Sequence, residues 1–298
     1  MKYMTACEAA EKWAVSVRTV REYCASGRII GAFITPNGWL LPENSSKPER
    51  RPRAKKLPVT LLERLKAEKE AGLSGGIYHR IQIDMTYNSN HIEGSTLTHE
   101  QTRHIFETHT FLPESGAINT DDIAETVNHF RCIDLVIDMA NYQLSESLIK
   151  QLHGLLKSGT SDSRQTWFVV GDYKRYENEV GGHMTAKPGQ VKEKMRALIN
   201  EYNSSKKKTL EEIIEFHWKF EEIHPFQDGN GRVGRLIMFK ECLKNGITPF
   251  IIDEERKLFY YRGLHEWKNE KGYLIDTCLS AQDAFKAVLT SFGIGYSD

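Results

Sequence analysis

Beyond residue 58, apolar residues recur at three- and four-residue spacing, the period of helices that bury one face. With capping residues and terminal glycines, this spacing predicts helices over 59–71, 76–93, 98–110, 121–141, 145–157, 188–203, 209–223, 232–245 and 255–292, the last broken near Gly272. The stretch Trp167–Thr185 breaks the rhythm. It carries Gly171, Gly181, Gly182 and the β-prone run Trp167–Val170, and so predicts a hairpin over a helical body. The first 42 residues read as a separate unit. Thr5 and Glu8 form a capping box that opens a helix over Ala6–Trp13, and Ser16 caps a second over Val17–Cys24, with Gly27 able to end it. Two apolar runs, Ile29–Thr35 and Trp39–Leu41, flank Pro36-Asn37-Gly38 as a hairpin would. The expected fold is mainly α, with a short β-hairpin flap and a small N-terminal winged helix-turn-helix.

Residues 43–58 hold Pro48, Pro52 and Pro58, Ser45 and Ser46, and the basic run Arg50, Arg51, Arg53, Lys55, Lys56, the composition of an exposed linker. The expected division is therefore 1–42, a linker at 43–58, and 59–298. Forty Lys and Arg balance forty Asp and Glu, but unevenly: residues 1–56 hold eleven bases against five acids, a net of +6. Such asymmetry points the N-terminal segment at a polyanion. Residues 3–42 resemble the MerR/excisionase type of helix-turn-helix, which implies that residues 1–57 bind double-stranded DNA. Arg18, Thr19 and Arg21 would meet it at the start of the second helix, and Arg28 would add a phosphate contact. One copy would bind weakly, so a homodimer fits this reading.

The chain of 298 residues is 27% charged and 40% hydrophobic, which suits a soluble globular protein. No apolar run reaches the 18 or so residues of a membrane span. The N-terminus lacks an apolar signal core, so a cytoplasmic location is expected. Five scattered cysteines make no C-x-x-C pair, and the histidines make no H-E-x-x-H. His99, His104 and His109 recur every five residues, which keeps no helix face.

The chemistry concentrates in residues 224–235, His-Pro-Phe-Gln-Asp-Gly-Asn-Gly-Arg-Val-Gly-Arg. Pro225 disfavours helix at His224, so the preceding helix should stop there. Asp228-Gly229-Asn230-Gly231 can turn tightly, and Arg232 can open the next helix. Loop amides and a helix N-terminus both attract anions. Asp228 offers a hard oxygen ligand for Mg²⁺. Arg232 and Arg235, three residues apart on one helix face, can fork onto phosphates. An imidazole, which ordinarily titrates near pH 6.5, can accept a hydroxyl proton at His224. Phe226 most simply turns inward as the loop's anchor. No Lys-Ser/Thr follows the glycines, so this is not a Walker A loop.

The pattern H-P-F-x-D-G-N-G-R-x-x-R resembles the signature of the Fic family, over roughly residues 77–275. The resemblance implies a Fic-type helical bundle and transfer of AMP from ATP, with Mg²⁺, to a Tyr, Ser or Thr hydroxyl of a protein, itself included. His224 would be the base, Asp228 the Mg²⁺ ligand, Gly229, Asn230 and Gly231 the phosphate-binding amides, and Arg232 and Arg235 the phosphate clamps. Ser89-Asn90-His91-Ile92-Glu93-Gly94 is similar to the family's inhibitory motif, in which the glutamate pairs with the second motif arginine, here Arg235. Ser89, Glu93 and Gly94 are thus the expected brake, on a helix over about 76–94. Fic enzymes also align the target against a hairpin. Tyr173, Lys174, Arg175, Tyr176, Glu177, Asn178, Glu179 and Val180 are its candidates here, although Val170-Gly171 stands where the family has Pro-Gly. Tyr260 and Tyr261 resemble the aromatic pair near adenine. Other readings of the same residues are a transcription regulator that only senses nucleotide, removal of AMP with Glu93 positioning water, and transfer of UMP or GMP. A metal hydrolase is the weakest reading.

Overall fold

A computed structural model describes residues 2–35, 38–49, 60–112 and 117–296. The chain divides into two units, Met1–Lys56 and Leu57–Asp298, each with an apolar core of its own.

The smaller unit runs β1 (Tyr3–Thr5), α1 (Ala6–Trp13), α2 (Val17–Ala25), β2 (Phe33–Thr35), β3 (Gly38–Pro42). Thr5 ends β1 and caps α1, its hydroxyl accepting from Glu8 N–H while the Glu8 carboxylate accepts from Thr5 N–H. Ser16 caps α2 through Thr19 N–H. β3 is central and antiparallel to both neighbours, with Met4 opposite Leu41 and Ile34 opposite Trp39. Val20, Leu41, Trp13 and Tyr23 fill the core. Three-residue β1 is too short to carry a period, and the sequence reading missed it. Pro36 and Asn37 of the expected turn lie outside the described residues, as do Pro52, Pro58 and the linker bases Arg50, Arg51, Arg53, Lys55 and Lys56.

In the larger unit, α3 (Leu61–Ala71), α4 (Ile77–Ile92), α5 (His99–Thr108), α6 (Thr120–Asp138) and α7 (Glu146–Leu156) come first. A two-residue hairpin follows, β4 (Glu179–Val180) with β5 (His183–Met184). Then come α8 (Pro188–Asn203), α9 (Leu210–Ile223), α10 (Asn230–Asn245), α11 (Lys257–Glu266) and α12 (Gly272–Ser291). Capping boxes at Thr60–Glu63, Thr98–Gln101 and Thr209–Glu212 start α3, α5 and α9. The break expected near Gly272 separates α11 from α12, which cross closely because Gly263 faces the Leu274 backbone with no room for a Cβ. Trp167–Val170 forms no strand. Phe168 is instead buried beside His153.

Thirteen of the sixteen residues of α10 are buried, which makes it the central helix of the bundle. It packs on α4, α6, α7 and α9. Its N-terminus, and the loop before it, therefore sit where several helices converge. Among the described residues no helix is long and apolar enough to cross a membrane.

Candidate active site

The loop between α9 and α10 is built by local bonding. α9 ends on His224, whose φ of 49° is left-handed, an unusual conformation for a residue with a Cβ. Phe226 is sealed in the core, its ring stacked on His153 at 4.0 Å between centroids and 3° between planes. The Asn230 side chain closes the loop on itself. Its Oδ1 accepts from Phe226 N–H at 2.8 Å and its Nδ2 donates to Phe226 O at 2.9 Å. Gly229, at φ 80°, then lets the chain enter α10 at Asn230, two residues before the expected start at Arg232. No side chain caps α10, so its first amides face the loop as an uncapped helix N-terminus.

Two clusters of charge surround this terminus. On one side lies Arg235, 6% exposed, with its guanidinium over the Tyr260 ring. Its Nε donates to Ser89 Oγ at 3.0 Å, and its Nη2 to Ser89 O at 2.9 Å and to Glu93 Oε1 at 2.7 Å. Glu93 terminates α4, and Gly94 follows at φ 99°. The Glu93 carboxylate lies directly over Gly231, where a Cβ would overlap it. Burial alone would lower the Arg235 pKa, but Glu93 reverses this and holds the guanidinium charged.

On the other side are residues the sequence reading missed. Lys157, 2% exposed, donates to Glu125 Oε1 at 2.5 Å, Asp228 Oδ2 at 2.6 Å and Asp162 Oδ2 at 3.0 Å. Arg232 bonds the other Glu125 oxygen and reaches Asp228 Oδ2 at 3.2 Å. Burial raises the Asp228 pKa, yet Arg232 and Lys157 outweigh it and hold the carboxyl down at about 2. Asp228 is thus ionised and about half exposed, with cations already on one oxygen.

His224 lies at the end of this arrangement with its Nδ1 buried, 3.5 Å from Glu221 Oε2. The motif residues His224, Asp228, Gly229, Asn230, Gly231, Arg232 and Arg235 therefore meet at one helix end with Ser89 and Glu93 from α4. Among the described residues no group of three or more His, Cys, Asp or Glu is arranged to hold a metal ion by itself.

The expected flap differs from its sequence reading. Only Glu179 and Val180 are in a strand. Residues 173–178 are irregular and bond the loop between α9 and α10 instead. Lys174 N–H donates to Pro225 O at 2.9 Å and Asn178 Nδ2 to Phe226 O at 3.1 Å. Lys174 is buried, its Nζ bound to Asn178 Oδ1 at 2.6 Å and Thr185 Oγ1 at 2.5 Å, and Tyr173 turns its hydroxyl inward. Arg175, Tyr176, Glu177, Glu179 and Val180 are exposed. The tyrosine pair also divides. Tyr260 is 1% exposed and hydrogen-bonded to His217 Nε2 at 2.6 Å, so its ring is core and closed to adenine here. Tyr261 is 41% exposed and donates to Ile92 O at 3.1 Å.

In the smaller unit, Arg18 and Arg21 are exposed on the first turns of α2, and Thr19 shares a hydrogen bond with Ser16. Arg28 packs over the Tyr23 ring and bonds the Glu49 carbonyl.

Known proteins resemble this chain in sequence and in fold. The model of the Fic/DOC family matches residues 143–242. The protein adenylyltransferase Fic of Drosophila mojavensis is 30% identical over 186 residues, 60% of this chain and 35% of that protein. The chain thus spans about a third of the length of the curated relatives it matches. Among solved structures, a Fic-domain-containing signaling protein from Bacteroides thetaiotaomicron is similar with a TM-score of 0.61 and 23% identity, over 80% of this chain and 98% of that one. Fic-1 from C. elegans is similar with a TM-score of 0.61 and 18% identity, over 78% and 72%. These likenesses concern the fold.

Proposed function

With the Fic domain at residues 143–242 as premise, we propose that this protein transfers AMP from ATP to a Tyr, Ser or Thr hydroxyl of a protein, itself included. The observation that carries the reading is the convergence of His224, Asp228, Arg232 and Arg235 on the uncapped N-terminus of α10. His224 takes the hydroxyl proton as oxygen attacks the α-phosphorus and diphosphate leaves. The amides of Gly229, Asn230 and Gly231 receive phosphate oxygens at the positive helix end. Arg232 and Arg235 hold the outer phosphates. Asp228, ionised, partly open and oxygen-bearing, suits Mg²⁺ beside phosphate oxygens. The metal, when bound, would neutralise phosphate charge. The exposed part of the flap, Arg175 to Val180 without Asn178, is the docking edge for the target chain.

We read the described conformation as closed. Glu93 occupies both Arg235 and the space over Gly231 that a phosphate needs. Ser89 adds two acceptors to the same guanidinium. The test is mass spectrometry of wild type, Glu93→Gly and His224→Ala after incubation with ATP and Mg²⁺. The expected result is an AMP adduct that rises at least tenfold in Glu93→Gly and is absent from His224→Ala. An adduct that persists without His224 would sink the reading, and no adduct in any variant would favour a nucleotide sensor. We further infer that the smaller unit meets double-stranded DNA through Arg18 and Arg21, whose guanidiniums are exposed on α2.

A further inference from the structure

A histidine that receives a proton at one ring nitrogen needs the other nitrogen fixed. For His224 the fixing partner lies in α9. His217, Glu221 and His224 recur at i, i+4 and i+7, so the helix places them along one stripe. His217 Nδ1, Glu221 Oε1 and His224 Nδ1 are all sealed from solvent without a hydrogen-bond partner among the described residues. Glu221 Oε2 stands 3.5 Å from His224 Nδ1. Gly234 of α10 leaves the room: a Cβ there would collide with the His217 ring and crowd Glu221 Oε1.

This geometry decides between tautomers. A lone pair on His224 Nδ1 would face a carboxylate in a water-poor space, two acceptors opposed. A proton on Nδ1 faces it as a donor. Burial would raise the Glu221 pKa, but its contact with His224 and the nearby Arg235 charge outweigh this and hold the carboxyl below the usual range. The other groups around the pair are Arg235 from α10, Tyr260 and Tyr261 from α11, and Glu93 at the end of α4. His217 spends its Nε2 on the Tyr260 hydroxyl. Its burial keeps the ring neutral, with a pKa pulled down to about 4. Glu221 therefore has His224 as its one partner that can become charged during the reaction.

We infer that Glu221 is a positioning residue for His224: it accepts the Nδ1–H, leaves Nε2 free to take the hydroxyl proton, and stabilises the imidazolium that results. The inference rests on the transfer reading above. The step balances: the hydroxyl O–H proton moves to Nε2, the oxygen–phosphorus bond forms, and the bond to diphosphate breaks.

The test has two arms on the full chain. In the first, ¹⁵N spectra of wild type at neutral pH read the His224 tautomer without any turnover. Protonated Nδ1 and bare Nε2 are expected; the reverse would overturn the proposal. In the second, Glu221→Gln and Glu221→Asp are made in the Glu93→Gly chain. The Gln side chain can donate to Nδ1 and invert the tautomer. We expect kcat to fall about 10²–10⁴-fold with KM for ATP within about threefold, and the Asp variant to recover part of the loss. A Gln variant with unchanged kcat, or one that loses KM alone, would overturn the role of Glu221 while leaving transfer intact. Absence of transfer in the Glu93→Gly parent would instead remove the transfer reading, and with it this role.

Discussion

Lys157, Arg232 and Arg235 are buried in the larger unit and held by carboxylates, whereas Arg18 and Arg21 of the smaller unit stand in solvent. Among the described residues of the smaller unit, 2–35 and 38–49, no ion pair occurs at all. The same two residue types thus serve opposite ends. Buried and paired, a cation fixes the geometry of its neighbours and is little screened by salt. Exposed and unpaired, it projects a field that salt weakens and contributes little to folding. A net charge of zero conceals both.

The comparison breaks most visibly at Lys157. Lys157→Met leaves Glu125, Asp228 and Asp162 clustered without their shared ammonium. A buried pair broken from one side typically costs about 3–5 kcal/mol, so the denaturant midpoint of the larger unit should drop by that equivalent. A midpoint within about 1 kcal/mol of wild type would show that Lys157 holds nothing in place.

Acid sharpens the contrast next. His129, His153 and His217 are buried, and burial first of all lowers their pKa values, to about 3, 3 and 4. The unfolded chain binds their protons first. Their contribution is therefore fully present above about pH 6.5 and lost as pH falls towards those values, at up to about 1.4 kcal/mol per pH unit for each. Residues 1–56 contain no histidine. Hydrogen exchange on the intact chain between pH 6.5 and 4 should show protection falling in α6, α7 and α9 well before α1 and α2. Parallel loss in both units would contradict this.

The smallest effect on folding belongs to Arg18→Ala and Arg21→Ala, each expected within about 0.5 kcal/mol of wild type. On the proposed DNA reading, each should lower the salt slope of duplex DNA affinity by about one. No retardation of any duplex at low salt would remove the DNA role and leave these arginines as solubilising charge.

What the sequence made legible follows from range. Capping boxes act over three residues, and Thr5–Glu8 and Thr209–Glu212 start helices where their spacing says. The 224–235 motif is contiguous, so its loop could be read directly. Glu125 lies 107 residues from Arg232, and Lys157 71 from Asp228; no local pattern announces either pair. Lys174, a flap candidate in a charged stretch, is buried. It is drawn in by the Asn178 and Thr185 oxygens and by the Pro225 carbonyl that takes its amide. Tyr260 and Tyr261, adjacent on a helix, point about 100° apart, so the two rings need not share one environment. Glu221 was readable: His217, Glu221 and His224 at i, i+4 and i+7 are a helical stripe of titratable groups.

The missing side chain at Gly231 leaves the space over that backbone to the Glu93 carboxylate. On the proposed reading, a nucleotide enters only in the fraction of molecules where Glu93 has left. If that fraction is one in a hundred, the apparent Kd rises about 100-fold, and the contact amounts to about 2.7 kcal/mol. The site then behaves as a comparator between an internal acid and an external phosphate. Anything that loosens the end of α4 by about 1.4 kcal/mol changes its output tenfold without touching ATP.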